Sequence, residues 1–143
     1  MKDIEKAKLA LTEDVSFSLV NGDNTFVSKD PGVMPVLRLL DNDKSLLTGA
    51  SVADRVIGRA AALLMALGEV KEVYGEVMSR PGYDALKRHD IGADFGELVD
   101  SISNKSKTGL CPIEQSCLGI DDLSEARERI VSTISRGKET NRC

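Results

Sequence analysis

The stretch from Gly49 to Leu67 constrains the fold more than any other part of this chain. It predicts one central helix with a buried face, because apolar residues recur at helical spacing, namely at Val52, Val56, Ala60, Leu63, Leu64 and Leu67. Ser51 is predicted to cap this helix, and Asp54 suits the positive end of the helix dipole. The small residues at Gly58 and at positions 60–62 keep the helix thin, so that a sheet or another backbone can approach it closely.

Strands and helices are predicted on both sides of this stretch. Before it, the pattern indicates a leading helix over 3–12, an antiparallel hairpin over 15–28 with its turn at Asn21-Gly22, and a helix from Asp30-Pro31. After it, the pattern indicates a strand over 70–78, a helix over 83–89 and a strand over 93–99. A short helix from Cys111-Pro112 follows, and then an amphipathic helix that begins near Asp122 and is closed by Gly137. We therefore expect a single domain over 1–143, with 1–3 and 138–143 frayed. Its architecture is predicted to be a three-layer α/β/α sandwich around a mixed sheet of about four or five strands that begins with the hairpin.

Composition and charge exclude several classes of protein. The 143 residues are 41% hydrophobic and 29% charged, which is ordinary for a globular domain. Aromatic residues make up only 3% and the net charge is -4, so base stacking and binding to a phosphate backbone are both disfavoured, and no nucleic-acid partner is expected. No apolar run approaches the roughly 20 residues that span a bilayer, and the charged start predicts no secretory signal. Three cysteines form an odd set without metal-ligand spacing, which predicts free thiols in a cytoplasmic protein.

Charged residues early in the predicted central helix are the first candidates for a site. Arg55 and Arg59 are four apart and share a helical face, while Asp54 lies in the first turn. If this end of the helix lines a cleft, Asp54 acts as a base or hydrogen-bond acceptor and an arginine holds an anionic group. The alternative is structural: Asp54 is then only a cap, and the arginines form a solvated edge.

Cys111 is the second candidate, because the helix dipole stabilises a thiolate at a helix N-terminus. Glu114 occupies the capping-box position of the same short helix. A structural role for Cys111 is the alternative, since no histidine lies near it in the sequence. The single histidine, His89, is expected at the surface near a helix C-terminus, and no metal site or cofactor is predicted.

Three segments resemble a small family of bacterial and archaeal domains of unknown function that has a cytidine-deaminase-like fold. They are Gly49-Ala-Ser-Val-Ala-Asp-Arg-Val-Ile-Gly-Arg-Ala-Ala-Ala62, Val70-Lys-Glu-Val-Tyr74 and Leu110-Cys-Pro-Ile-Glu114, and the resemblance runs from about residue 5 to residue 135. It implies a deaminase-like fold and little about function.

Zinc deaminases add a further expectation through this resemblance. They begin the central helix with a zinc ligand and a catalytic glutamate and bring two cysteines from the next helix start. In this chain Val52 stands at the ligand position, Asp54 stands at the glutamate position, and Ser79-Arg-Pro-Gly82 lacks the cysteines. The resemblance therefore implies that zinc-dependent deamination is lost, while a pocket survives with Asp54 on its floor and Cys111 at its rim.

Three functional hypotheses follow. The first is a metal-free domain that binds a small polar ligand such as a nucleobase or nucleotide, with Ser51, Asp54, Arg55, Arg59 and Glu114 as candidate binding residues. The second is a cysteine-dependent enzyme that uses Cys111, with Asp54 or Glu114 assisting. The third is a non-catalytic scaffold that self-associates as a homo-oligomer.

Overall fold

A computed structural model describes residues 1–104 and 106–136 of the chain. Seven helices and five strands follow one another in these ranges: α1 (Asp3–Ala10), β1 (Phe17–Asn21), β2 (Asn24–Ser28), α2 (Met34–Asn42), α3 (Lys44–Leu47), β3 (Ser51–Ile57), α4 (Arg59–Leu67), β4 (Glu72–Ser79), α5 (Arg80–Arg88), β5 (Gly92–Val99), α6 (Pro112–Ser116) and α7 (Leu123–Arg136).

The strands form one mixed five-stranded sheet in the order β2-β1-β3-β4-β5. The hairpin β1-β2 is antiparallel, and its two-residue turn places Gly22 at a positive φ of 63°. β1 also pairs antiparallel with β3, whereas β3, β4 and β5 run parallel. The predicted hairpin and mixed sheet are thus confirmed, with β3 at the centre.

Helices cover both faces of this sheet, so the predicted three-layer sandwich is confirmed. Successive residues of a strand point to opposite faces. Leu19 and Val52 belong to the large core that α2 to α7 share, while their neighbours Val20 and Ala53 pack with Ala7 of α1 on the other face. One short helix therefore forms the thin layer, and the other helices form the thick one.

The prediction of one helix over 49–67 is wrong for its first half. Ser51–Ile57 is the central strand, Gly58 ends it, and the helix begins only at Arg59. The residues from Ser51 to Asp54 are all buried, because an inner parallel strand is covered on both faces. A short apolar run of this kind does not alternate, so its periodicity does not distinguish it from a buried helix.

The remaining predicted elements occur, with shifted ends. The second helix begins at Met34 and not at Asp30-Pro31, with Pro35 in its first turn. The predicted strands over 70–78 and 93–99 correspond to β4 and β5, and the predicted helix over 83–89 begins earlier, at Arg80. The predicted helix end at Gly137 and the frayed tail over 138–143 lie outside the described residues.

α4 and α5 begin in close contact at two glycines. A Cβ atom on Gly82, in the first turn of α5, would lie 2.9 Å from the carbonyl carbon of Gly58 and 3.0 Å from its oxygen. The Ser79 hydroxyl caps α5 by accepting a hydrogen bond from the Gly82 N–H at 3.0 Å. The two helix starts therefore meet through backbone, and a side chain at position 82 has no room.

Gly82→Ala is expected to lower the free energy of unfolding by about 1–3 kcal/mol, because the added methyl group meets backbone atoms that cannot move aside cheaply. Gly109→Ala is the matched control, since a Cβ atom there meets no atom within 4 Å. Urea denaturation monitored by circular dichroism measures both. Equal midpoints for the two variants would contradict the close packing at Gly58.

Candidate functional site

A cavity of about 240 Å³ opens at the carboxyl end of β3. β3, the start of α4, the segment before α2 and the α6 region supply its walls. The lining residues are Ser16, Pro31, Gly32, Val33, Asp54, Arg55, Val56, Gly58, Ala60, Ala61, Ile102, Cys111, Ile113 and Glu114. Ligands of open α/β sheets bind outside the carboxyl ends of the parallel strands, so this is the position in which a site is expected.

Asp54 lies in the wall of this cavity and is only 6% exposed. Its Oδ1 accepts a hydrogen bond from the backbone N–H of Arg55 at 2.8 Å, and the Val56 N–H also donates to the carboxyl group. Burial raises the pKa of Asp54 from 3.8 to about 8, although both N–H groups and the nearby Arg55 charge favour the ionised form. An acid that holds its proton near neutral pH is a common feature of functional sites.

The predicted helix-cap roles of Ser51 and Asp54 are wrong. Both residues lie in β3, where Ser51 pairs with Val20 and Glu72, and Asp54 pairs with Phe17 and Gly75. The inferred match between Asp54 and the catalytic glutamate of deaminases required a place in the first turn of the helix, and it fails for the same reason. Ser51 lies at the opposite end of β3 and does not line the cavity.

Glu114 links the α6 wall of the cavity to the start of α4. Its Oε1 accepts a hydrogen bond from the Arg59 N–H and its Oε2 accepts one from the Ala60 N–H, each at 2.8 Å. A carboxylate is favourable here, because the first N–H groups of a helix lack partners within the helix and the dipole is positive. Burial raises the pKa of Glu114, and the two N–H groups oppose this shift.

Gly58 makes this contact possible. A Cβ atom on Gly58 would lie 2.3 Å from Oε1 of Glu114 and 2.9 Å from Oε2, so any side chain would displace the carboxylate. The predicted reason for a glycine in this stretch, a close approach by another part of the chain, is therefore correct, although the residue precedes the helix and does not lie within it.

Arg59 adds a second set of hydrogen bonds, which run from its side chain on α4 to the segment that follows α6. Its guanidinium donates to the carbonyl oxygens of Cys117 at 3.2 Å and Ile120 at 2.6 Å, and it forms an ion pair with Asp121. We call these hydrogen bonds, together with those of Glu114 to α4, the Glu114–Arg59 clasp. Each side of the clasp caps backbone groups of the other, and together they hold the α6 wall in place.

Arg55 lines the cavity, but its guanidinium is held elsewhere. It donates to the carbonyl oxygens of Leu11, Thr12 and Val15, and it forms an ion pair with Glu76 at 2.6 Å. Neither of the two arginines predicted to hold an anion has a guanidinium free of protein partners.

Cys111 is buried in the wall of the cavity and is disulfide-bonded. The expectation of free thiols is therefore wrong for this residue. Among the described residues, Cys117 is a free cysteine, and its burial raises the pKa of its thiol to about 12. A nucleophilic thiolate is accordingly not set up at either position.

The parts of the cavity wall that contain no charged residue were not predicted from the sequence. Pro31, Gly32 and Val33 were assigned to the start of a helix, but they form a loop beside the cavity. Ile102, which also lines the cavity, follows β5. The Pro-Gly pair at 31–32 is a turn signal that would have placed the helix start later.

Over residues 1–104 and 106–136, no group of three histidine, cysteine or acidic side chains is arranged to hold a metal ion. In the same ranges, no helix combines the length and apolar character that a membrane crossing requires.

Comparison with known proteins identifies relatives of the whole chain. Residues 6–134 match a family model described as a domain of unknown function, DUF1893. The structure is similar to that of a DUF1893 family protein from Thermotoga maritima, with 26% identity, a TM-score of 0.78 and coverage of 96% of this chain and 92% of that chain. The resemblance to a family of domains of unknown function is thereby confirmed.

A second solved structure is less similar to this chain. The apo form of dCMP deaminase from the cyanophage S-TIM5 matches 65% of this chain and 93% of its own, with 12% identity and a TM-score of 0.47. A similarity this low shows nothing about a substrate of this chain. None of the curated proteins matches the chain.

Glu114→Gln is expected to lower the free energy of unfolding by about 1–3 kcal/mol, because an amide accepts through one oxygen only and leaves one N–H of α4 unpaired. Glu128→Gln on the exposed side of α7 is the matched control and is expected to change nothing measurable. Guanidinium denaturation gives the stabilities, and hydrogen exchange at the amides of Arg59 and Ala60 localises the effect. Unchanged exchange at both amides would contradict the clasp.

Asp54→Asn is expected to stabilise the protein, and more so as the pH rises. The unfolded chain releases this proton near pH 4, whereas the folded protein keeps it until about pH 8. The contribution of Asp54 is therefore fully present below the lower pKa and is lost as the pH rises to the upper one, by about 6 kcal/mol. Denaturation at pH 5 and pH 8 tests this. A stability difference between variant and parent that is the same at both pH values would disprove it.

Proposed function

The chain belongs to the DUF1893 family, whose function is unknown, and we propose from its own site that it binds a small polar ligand in the cavity at the end of β3. The observation that carries this proposal is Asp54, a buried acid in the wall of that cavity whose described hydrogen-bond donors are all backbone N–H groups.

The cost of burying Asp54 supports a ligand-binding role. A carboxyl group in an apolar wall destabilises the fold unless it is paired, and a hydrophobic residue would serve the core better. Residues that cost stability are expected where function requires them. The cavity opens at the carboxyl end of β3, where ligands of open α/β sheets bind, and this position supports the same conclusion.

The size and lining of the cavity favour a compact ligand with both apolar and polar parts. Its volume of about 240 Å³ lies below the roughly 300–1,000 Å³ of sites for drug-sized molecules. Val33, Val56, Ile102 and Ile113 offer apolar contacts, and Asp54 offers a polar group for the edge of a ring. Nucleobases, nucleosides and nucleotides combine such faces and edges, so we propose this ligand class and test it first.

The cysteine-dependent alternative has less support. A nucleophile at position 111 requires a free thiolate, and Cys111 is disulfide-bonded. Self-association as a scaffold has no specific contact in its favour, and it becomes the leading hypothesis only if the cavity binds nothing.

A thermal-shift screen against nucleobases, nucleosides and nucleotides tests the proposal. A ligand at 100 times its dissociation constant stabilises the native state by about 2.7 kcal/mol, which corresponds to a rise in Tm of roughly 5–10 °C for a domain of this size. Asp54→Ala is expected to abolish the rise, because it removes the polar group in the wall.

Asp41→Ala is the matched control for this screen. Asp41 lies in α2 and forms an exposed ion pair with Arg127, so its loss is expected to leave any ligand-induced shift intact. If no compound in the screen raises the Tm, the proposal is overturned, and light scattering would then establish whether the chain self-associates. A shift that survives Asp54→Ala would place the ligand elsewhere.

A further inference from the structure

The charged side chains around the cavity differ in whether other protein groups already pair with them. This difference restricts the charge that a ligand can carry. Three charged side chains line the walls, namely Asp54, Arg55 and Glu114. Arg59 follows Gly58 of the lining as the first residue of α4. A buried ligand charge needs an opposite charge or several hydrogen bonds to offset its desolvation.

The cationic groups are fully engaged within the protein. The guanidinium of Arg55 is surrounded by three carbonyl oxygens and the carboxylate of Glu76. The guanidinium of Arg59 is held by two carbonyl oxygens and by Asp121. Drawing either group towards a ligand would break at least three hydrogen bonds, most of them to buried or half-buried backbone.

The start of α4 is the natural place for an anion, and the chain fills it itself. Glu114 accepts from the N–H groups of Arg59 and Ala60 at 2.8 Å, in the space that the absent side chain of Gly58 leaves open. A phosphate or carboxylate that entered here would have to displace a buried carboxylate that carries the same charge.

Asp54 is the group that remains for a ligand. Its carboxyl group accepts hydrogen bonds from two adjacent backbone N–H groups, and within residues 1–104 and 106–136 no side chain hydrogen-bonds to it. When the group is protonated, its O–H is a donor, and a ligand atom that accepts from it would satisfy a buried polar group.

We infer that the cavity selects an uncharged ligand, one that offers a ring nitrogen or a carbonyl oxygen to Asp54 as a hydrogen-bond partner and that carries no phosphate or carboxylate. This inference rests on the proposed function and narrows it from nucleobases and nucleotides to the uncharged bases and nucleosides.

The titration of Asp54 supplies an independent signature. Burial raises its pKa to about 8, so the donor O–H is present at neutral pH and lost above it. Among the charged groups, Arg55 on its own strand acts on Asp54 and favours its ionised form, and Glu114 from α6 lines the same cavity. The neighbours of Asp54 on the adjacent strands, Phe17 and Gly75, and the loop residues 31–33 carry no charge. Burial, more than any single partner charge, therefore governs this titration.

Isothermal titration calorimetry with adenine and cytosine, with their nucleosides and with their 5′-monophosphates tests the inference. We expect the base or nucleoside to bind at least tenfold more tightly than the monophosphate, and inorganic phosphate alone not to bind. The dissociation constant is expected to rise about tenfold from pH 7 to pH 9, because the protonated fraction of Asp54 falls by that factor while the ligands stay uncharged.

Asp54→Asn separates a direct role from a structural one. The amide offers a donor and an acceptor at both pH values, so we expect its dissociation constants at pH 7 and pH 9 to agree. Asp41→Asn is expected to keep the parental tenfold change. A Tm measured for each variant at both pH values verifies that every protein compared is folded.

The possible failures are distinguishable. If bases, nucleosides and monophosphates all fail to bind, the proposed function is overturned, and the inference with it. Binding of the monophosphate as tightly as the nucleoside would overturn the inference alone, and so would a dissociation constant that is the same at pH 7 and pH 9 in the parent protein.

Discussion

The Glu114–Arg59 clasp is the interaction on which the candidate site depends. Among the residues that the structure describes, its hydrogen bonds join α6 and the turn after it to the start of α4, and Glu114 is itself part of the cavity wall. The clasp needs three adjacent features: a glycine that leaves space, the unpaired N–H groups of a helix start, and an arginine that reaches the chain beyond α6. It satisfies backbone groups at both ends, so its removal would expose several unpaired donors and acceptors at once.

Asp54 makes the opposite contribution. The clasp stabilises the domain, whereas Asp54 destabilises it at neutral and higher pH, since its pKa is raised by burial. The two groups line the same cavity, so a rigid wall is placed beside a group that the fold would be more stable without. That combination is typical of a binding site, where supporting contacts hold a costly group in position.

The sequence predicted the layers and most elements, because hairpin turns, alternation and helix starts are local signals. It failed at Ser51–Ile57, where burial on both faces removes the alternation that marks a strand. Asp54, Cys111 and Glu114 line one cavity, but Asp54 reaches it from strand β3 and not from the first turn of a helix as predicted. The clasp could not be predicted, because its partners are 54 and 55 residues apart and no local pattern connects them.

That separation along the chain also bears on the order in which the domain folds. Most of α4, together with β4, α5 and β5, lies between the two halves of the clasp and can pack through contacts between neighbours in the sequence. The carboxylate of Glu114 reaches α4 only after a long loop has closed, and loop closure carries an entropic cost that the final contacts must offset. We therefore expect the sheet to form before the cavity closes, so that a ligand would meet a folding chain whose strands are paired before its binding site exists.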